Sequence, residues 1–282
     1  MITLRSNWQH RRHAAFLIHR RDLRAMLFGK GIYLVLSLAL LVTVTLLRNY
    51  LNFVDENGLL VLSGAFNFPL FVIIFLSALF LALSSLATIA REREQGTMET
   101  LFYGPVDAVS YILGKYLAQM VTYLVMMVIY AVCFMIYALL TNFTFPLSVG
   151  WVVLLSILIA SNIITFGIFI SALSGGVRPA VLFFMGVVVI LTALQFGQEI
   201  LAVLPWSDDY YNPVLFLQNV LAAVNRLLSW LSPFSFLMQG MEAVRRGSMS
   251  TYLIVTLVSA IFTLVFLGLS VVALERKGVR NK

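Results

Sequence analysis

Residues Arg91–Lys115 read REREQGTMETLFYGPVDAVSYILGK. This is the most densely charged interruption between hydrophobic runs, and it sets Glu92, Glu94 and Glu99 beside Arg91 and Arg93. The runs on either side, Pro69–Ala90 and Tyr116–Leu140, are continuously apolar. Each exceeds the ~20 residues that a helix needs to cross a bilayer. The segment therefore reads as a water-facing connection between two membrane-crossing helices, and the fold as an all-α polytopic membrane protein.

Composition agrees with that reading. The chain has 282 residues, 61% of them hydrophobic and 11% charged, and a mean hydropathy of +0.97. A soluble domain would carry roughly 25% charged residues. A transmembrane barrel would alternate apolar and polar residues over ~10-residue strands, and these runs do not alternate. The length leaves no room for a sizeable water-soluble domain, so the chain is expected to be a single transmembrane domain over 1–282. The single cysteine, Cys133, lies inside an apolar run and has no partner for an intrachain disulfide. His10, His13 and His19 lie near the start without a Cys or Glu cluster, so no metal site is expected. Met1–Lys30 is too polar for a secretory signal.

Six spans are expected: Gly31–Leu47, Pro69–Ala90, Tyr116–Leu140, Trp151–Leu173, Ala180–Leu204 and Tyr252–Leu274. The shortest would be ~26 Å long at ~1.5 Å per residue, which suffices when flanking residues snorkel. An even number of spans puts both termini on one side. That side then holds fifteen of the 19 Lys and Arg residues, leaving Arg48, Arg226, Arg245 and Arg246 opposite. Such a bias places both termini and the Arg91–Lys115 loop in the cytoplasm. It also explains the net charge of +7 by orientation and anionic lipid rather than by nucleic acid.

Ahead of the first span, residues 13–28 read as an amphipathic interfacial helix. At ~100° per residue, Phe16, Leu23 and Leu27 share one face with Met26 beside them, while Arg20, Arg21 and Arg24 lie to the other side. The apolar face would rest in membrane lipid and the arginines among headgroups; the alternative is a solvated basic tail. After the fifth span, residues 205–250 form an outer helical segment. It opens with Pro205, Trp206 and the patch Asp208, Asp209, Tyr210 and Tyr211. Val214–Leu231 then has the periodicity of an interfacial helix. The stretch 232–247 could dip into the membrane as a short helix if protein covers its backbone.

The central loop, 91–115, is expected to extend the second helix, break at Gly96 and start a short helix at Thr97. Gly104-Pro105 ends that helix, and Asp107 caps the third span. Met98, Leu101 and Phe102 beside Glu99 would suit a cleft in another protein; the alternative is a solvated connection. The chain does not look able to hydrolyse ATP itself. Gly29-Lys30 and Gly114-Lys115 lack the following Ser or Thr and the earlier glycine of a phosphate-binding loop. Neither HExxH, GxSxG nor a carboxylate pair deep in a span points to a membrane hydrolase.

EREQGTMETLFYGPVDAVSYILGK resembles the motif of type-2 ABC exporter permeases. The matching elements are Glu92-Arg93-Glu94, Gly96-Thr97, Glu99, Pro105-Val106 and Leu113-Gly114-Lys115. Leu231-Ser232-Pro233-Phe234 with Gly247, and Leu274-Glu275-Arg276-Lys277, resemble two further stretches of that family. Met98 stands where Leu is commoner, and Phe102-Tyr103-Gly104 is bulkier than usual. The resemblance implies the membrane subunit of an ATP-driven exporter in a bacterial or archaeal cytoplasmic membrane. It implies a dimer with a second permease copy or a similar permease, and separate cytoplasmic ABC ATPase subunits that bind ATP and Mg, with no cofactor in this chain. The loop would be the coupling helix. Glu92, Arg93, Glu94, Gly96, Thr97, Met98, Glu99, Leu101, Phe102 and Pro105 would belong to the ATPase contact, with the glutamates pairing with ATPase cations and Arg91 and Arg93 near the lipid boundary.

Polar residues inside the spans suggest a substrate path. Asn162 and Thr165 lie mid-span in the fourth, and Gln195, Gln198 and Glu199 lie toward the outer end of the fifth. Glu199 is the acid expected at membrane depth. The same residue types also serve as hydrogen-bonding glue between helices. Tyr123, Tyr130 and Tyr137 recur every seven residues, as on one packed helix face. The function read here is ATP-driven export of a lipid-like, amphipathic or peptide cargo. The alternatives are an ion- or proton-coupled secondary transporter, or an ABC-type subunit doing mechanical or assembly work.

Overall fold

The computed structural model describes residues 2–56, 66–103, 106–141, 148–203, 216, 219–224 and 233–277, with side chains except at 2–12, 54–55, 99, 148, 191–192, 194–203, 233–234 and 277. Among these residues every regular element is a helix: α1 (Ile2–Leu27), α2 (Lys30–Glu56), α3 (Asn67–Glu94), α4 (Thr97–Phe102), α5 (Ala108–Thr141), α6 (Ser148–Leu173), α7 (Val177–Val203), α8 (Pro233–Arg246) and α9 (Met249–Lys277). Five of them, α2, α3, α5, α6 and α9, are long and apolar enough to cross a membrane. The described apolar stretch of α7, Val177–Ile190, is shorter, so the expected crossing at Ala180–Leu204 rests partly on side chains outside the described set. The patch at 205–211 and most of 214–231 also lie outside it.

Two helices run further than the hydropathy suggests. α2 continues past Leu47 to Glu56, and α5 begins at Ala108 rather than Tyr116. At α5 the reason is local. The Ser110 hydroxyl donates to the Asp107 carboxylate and the Tyr111 N–H donates to the Asp107 carbonyl at 3.0 Å, which caps the helix. Lys115 then lies inside the helix because its charge is neutralised within the chain.

α6 is the central helix, packed against α3 on one side and α9 on another. Small residues bring α3 and α6 together. A Cβ on Gly167 would fall 1.8 Å from Ser85 Oγ. One turn on, Ser171 Oγ accepts from the Ile89 and Ala90 N–H groups at 3.1 and 3.0 Å and donates to the Leu86 carbonyl at 2.6 Å. Lipid supplies no hydrophobic drive for helix association, so close backbone approach and such bonds are what hold membrane helices together. Toward one end of this core Phe166 and Phe169 pack edge-on against Phe266 of α9.

α8 lies across the end of the bundle where α6 and α9 begin. Phe236, Leu237 and Ala243 are buried, and a Cβ on Gly240 would fall 1.9 Å from Leu155 Cδ2. Arg245 and Arg246 remain exposed and pair with Glu242 at 2.8 Å. Gly247, at φ 68°, turns the chain into α9, and Tyr252 OH donates to the Trp151 carbonyl at 3.0 Å. The short helix expected within 232–247 therefore forms, and its apolar face is covered by α6 and α9.

Candidate coupling site at the basic end of the bundle

α3 outruns its apolar stretch by one turn, Arg91–Glu94, and consecutive residues of a helix point ~100° apart. Glu92 consequently faces α1 and α5, while Arg93 and Glu94 face the turn between α6 and α7. The helix ends with Gln95 and Gly96 N–H groups bonded to Arg91 and Arg93 carbonyls at 3.0 and 3.1 Å. Gly96 sits at φ 67°, a conformation that side chains disfavour. Thr97 Oγ1 then donates to the Glu92 carbonyl at 3.1 Å, and α4 begins.

Glu92 sits in a closed ionic knot. Its Oε1 accepts from Arg21 at 2.5 Å and from Lys115 Nζ at 3.0 Å, and its Oε2 accepts from the Tyr111 hydroxyl. Lys115 also reaches Asp22 Oδ2 at 3.0 Å, and Arg21 Nε reaches Asp22 Oδ1 at 2.8 Å. Lys115 is only 2% exposed, and its ammonium lies 4.9 Å from the Tyr111 ring centre. Two cations thus meet two carboxylates with no net charge. Burial opposes the charge on Arg21, but Asp22 and Glu92 outweigh it and raise its pKa above the ordinary value. Gly114 makes the knot sterically possible, because a Cβ there would fall 2.8 Å from the Ala15 carbonyl and 3.0 Å from Ile18.

Arg93 and Glu94 grip the α6–α7 turn with opposite charges at matching helix ends. Arg93 Nη1 donates to the carbonyls of Ala172 and Ser174 at 3.3 and 2.6 Å, at the end of α6. Glu94 Oε1 accepts from the Val177 N–H at 2.8 Å, at the start of α7. A cation near a helix C-terminus and an anion near an N-terminus are each favoured by the helix dipole. The carboxylate lies over Gly176, where a Cβ would be 2.3 Å from Glu94 Oε1.

Several residues expected at an ATPase contact have partners within the chain itself. Glu92 and Glu94 are engaged inside the chain rather than left facing outward, because charges at the rim of an apolar bundle gain most from fixed partners. Arg93 is spent on α6 carbonyls rather than held near lipid, while Arg91 is exposed. Met98 is 4% exposed, and Leu101 and Phe102 pack against the chain's own core, Phe102 lying 5.6 Å from the Tyr111 ring. The side of α4 open to a partner is instead polar, with Thr97 and Thr100, followed by Tyr103 at 85% exposure. The Glu99 side chain and Pro105 lie outside the described residues.

Among the residues proposed for a path, Asn162 is buried with its amide in use. Its Nδ2 donates to Ser259 at 2.6 Å and its Oδ1 accepts from Thr263 at 2.7 Å. Ser161 links Thr263 to Tyr116 at 3.0 and 2.7 Å, and Thr165 donates to the Asn162 carbonyl at 3.0 Å. This is a bond network joining α5, α6 and α9, which favours the packing role. The side chains of Gln195, Gln198 and Glu199 lie outside the described residues.

On α1, Phe16 is 58% exposed, Arg20 and Arg24 are exposed, and Leu23 and Leu27 are partly so. The opposite face, Ala15, Ile18 and Asp22, packs on α5 and went unread in the sequence. Its signal was present. Asp22 is the one acid before Asp55, set among many cations, and Lys115 is the one charge within α5.

Five long apolar helices tied by buried polar bonds define an integral membrane protein. Residues 31–272 match the family described as ABC-2 family transporter protein, and the chain belongs to that family. It is accordingly the membrane permease of an ABC transporter, a family in which ATPase activity generally resides in a separate partner subunit. The match begins after α1, leaving Arg21 and Asp22 outside it. Comparison with curated proteins gives no match.

Proposed function

We propose that this chain is an export permease driven by a separate ABC ATPase that docks on α4. The reading rests on one observation: the α3 turn that leads into α4 also holds α1 and α5 through Glu92, and the α6–α7 turn through Arg93 and Glu94. A push on α4 therefore reaches four further helices through fixed hydrogen bonds. ATP binding biases the membrane part only if the two conformations contact the ATPase differently, and a clamped helix end makes that difference felt across the bundle. The docking face is Thr97, Thr100 and Tyr103, with Glu99 adjacent in sequence. In this reading α7 supplies the sixth crossing, and both termini lie in the cytoplasm of a bacterial or archaeal cell. The partner holds ATP and Mg, and the permease works as a dimer with a second copy or a similar chain. The low charge of the spans suits a lipid-like, amphipathic or peptide cargo.

The test is site-specific crosslinking from position 100 in the full-length chain, coexpressed with its candidate ATPase and purified together. A crosslink from Thr100→Cys into the groove of a protein bearing a nucleotide-binding loop, changing in yield between ATP-bound and ATP-free states, is the expected result. A complex that hydrolyses ATP but is insensitive to any probe along 97–103 would sink the reading.

A further inference from the structure

Between α1, α2, α3 and α5, beside the ionic knot, lies a cavity of about 690 Å³. That is within the ~300–1,000 Å³ typical of ligand sites. It is two-natured. At one end Arg21, Asp22, Arg91, Glu92 and Lys115 line it; at the other, Ile32, Phe80 and Leu83 do. Its position, where a basic interfacial helix meets the ends of apolar spans, is that of phospholipid headgroups.

A second observation says what the occupant must carry. Gln119 lines the cavity and is only 1% exposed. Its Nε2 donates to Thr88 Oγ1 at 3.1 Å, and Thr88 in turn donates to the Ser84 carbonyl at 2.7 Å. That chain fixes the amide orientation and leaves Gln119 Oε1 an acceptor with no donor. A buried unpaired carbonyl is costly, more so at the membrane boundary than in water. The charges at the mouth point to the complementary group. Arg21 and Lys115 are already balanced by Asp22 and Glu92, whereas Arg91 is exposed and has no partner among the described residues. One cation is thus free for an anion while an acceptor waits deeper for a donor.

We propose that this cavity binds a phospholipid whose headgroup joins a phosphate to a hydrogen-bond-donating ammonium, as in phosphatidylethanolamine. The phosphate meets Arg91, the ammonium donates to Gln119 Oε1, and the start of the acyl chains lies along Ile32, Phe80 and Leu83. Phosphatidylcholine has the same charges and no N–H donor, so it isolates the Gln119 contact. This site does not depend on the ATPase reading.

The test is thermal stability and native mass spectrometry of the delipidated full-length chain in detergent, with phosphatidylethanolamine, phosphatidylcholine or free phosphoethanolamine added. The expected result is saturable binding of one phosphatidylethanolamine per chain, about tenfold tighter than phosphatidylcholine, a ratio equivalent to ~1.4 kcal/mol. Gln119→Leu should bring the two lipids level: it removes the unpaired acceptor together with the Gln119–Thr88 bond, while Thr88 keeps its bond to the Ser84 carbonyl. Arg91→Ala, at an exposed position, should weaken both lipids alike. The proposal is overturned by equal affinity for the two lipids in the parent chain or by a Gln119→Leu variant that still discriminates. It is overturned equally by a free headgroup that binds as tightly as the lipid.

Discussion

Glu94 Oε1 accepts a hydrogen bond from the Val177 backbone N–H at 2.8 Å, so the last turn of one apolar helix caps the first turn of another 83 residues away. Arg93 completes the grip on the Ser174 carbonyl at 2.6 Å. The first prediction follows from that pair. In Glu94→Ala the Val177 amide loses its acceptor and the α7 dipole loses its anion. The expected cost is ~1 kcal/mol, with faster hydrogen exchange confined to residues 174–178. Retained protection of the Val177 amide would show that the bond holds nothing in place.

Lys115 is the most enclosed charge of the knot, bonded to Asp22 and Glu92 at 3.0 Å each. Lys115→Met leaves two carboxylates sharing Arg21 and should destabilise the chain by ~3–5 kcal/mol, the usual consequence of breaking a buried ion pair. Adding Asp22→Asn removes the excess charge and should restore part of the loss. A double variant no more stable than Lys115→Met, measured by thermal unfolding in detergent, would argue that Asp22 and Lys115 are not coupled.

The legible and illegible parts of this fold divide along physical lines. Long apolar runs announce themselves, because every crossing must bury its own backbone bonds, so α3, α6 and α9 fall close to where hydropathy puts them. The break at Gly96 is equally readable, since only a glycine accepts φ 67° without strain. What hydropathy misses is pairing. Hydropathy starts the third apolar run only at Tyr116, although Asp107 reads as the cap of the helix leading into it; Lys115 lies inside that helix because Asp22 and Glu92 neutralise it. Composition suits Met98, Leu101 and Phe102 to a partner's cleft for a related reason. A short apolar stretch has the same composition whether it packs inward or outward, and only the position of α3 decides.

Glycine contacts between helices give a prediction with its own control. Gly167→Ala drives a Cβ to 1.8 Å from Ser85 Oγ, whereas at Gly150 nothing lies within 4 Å. Gly167→Ala should lower stability by ~1–3 kcal/mol, the range for overpacking a tight contact, while Gly150→Ala should be neutral or slightly stabilising. Equal melting temperatures for the two variants would contradict the close α3–α6 approach.

The final prediction separates the two sides of the short helix α4. Tyr103 is 85% exposed and Met98 is 4% exposed, so partner contact and internal packing should respond to different substitutions. Tyr103→Ala removes an aromatic that touches solvent, and its effect on thermal stability should stay within ~0.5 kcal/mol. As an aromatic on the proposed docking face it can act as an interface anchor. Its loss should therefore weaken ATPase association by at least about tenfold, ~1.4 kcal/mol. Met98→Ser places a hydroxyl in a buried apolar site and should destabilise the chain itself by ~2 kcal/mol or more. Association and melting temperature measured on both variants form a crossed pair. Should Met98→Ser leave the melting temperature untouched and abolish association while Tyr103→Ala does neither, the apolar side of α4 would be the docking face, and α4 would have to turn outward to meet its partner.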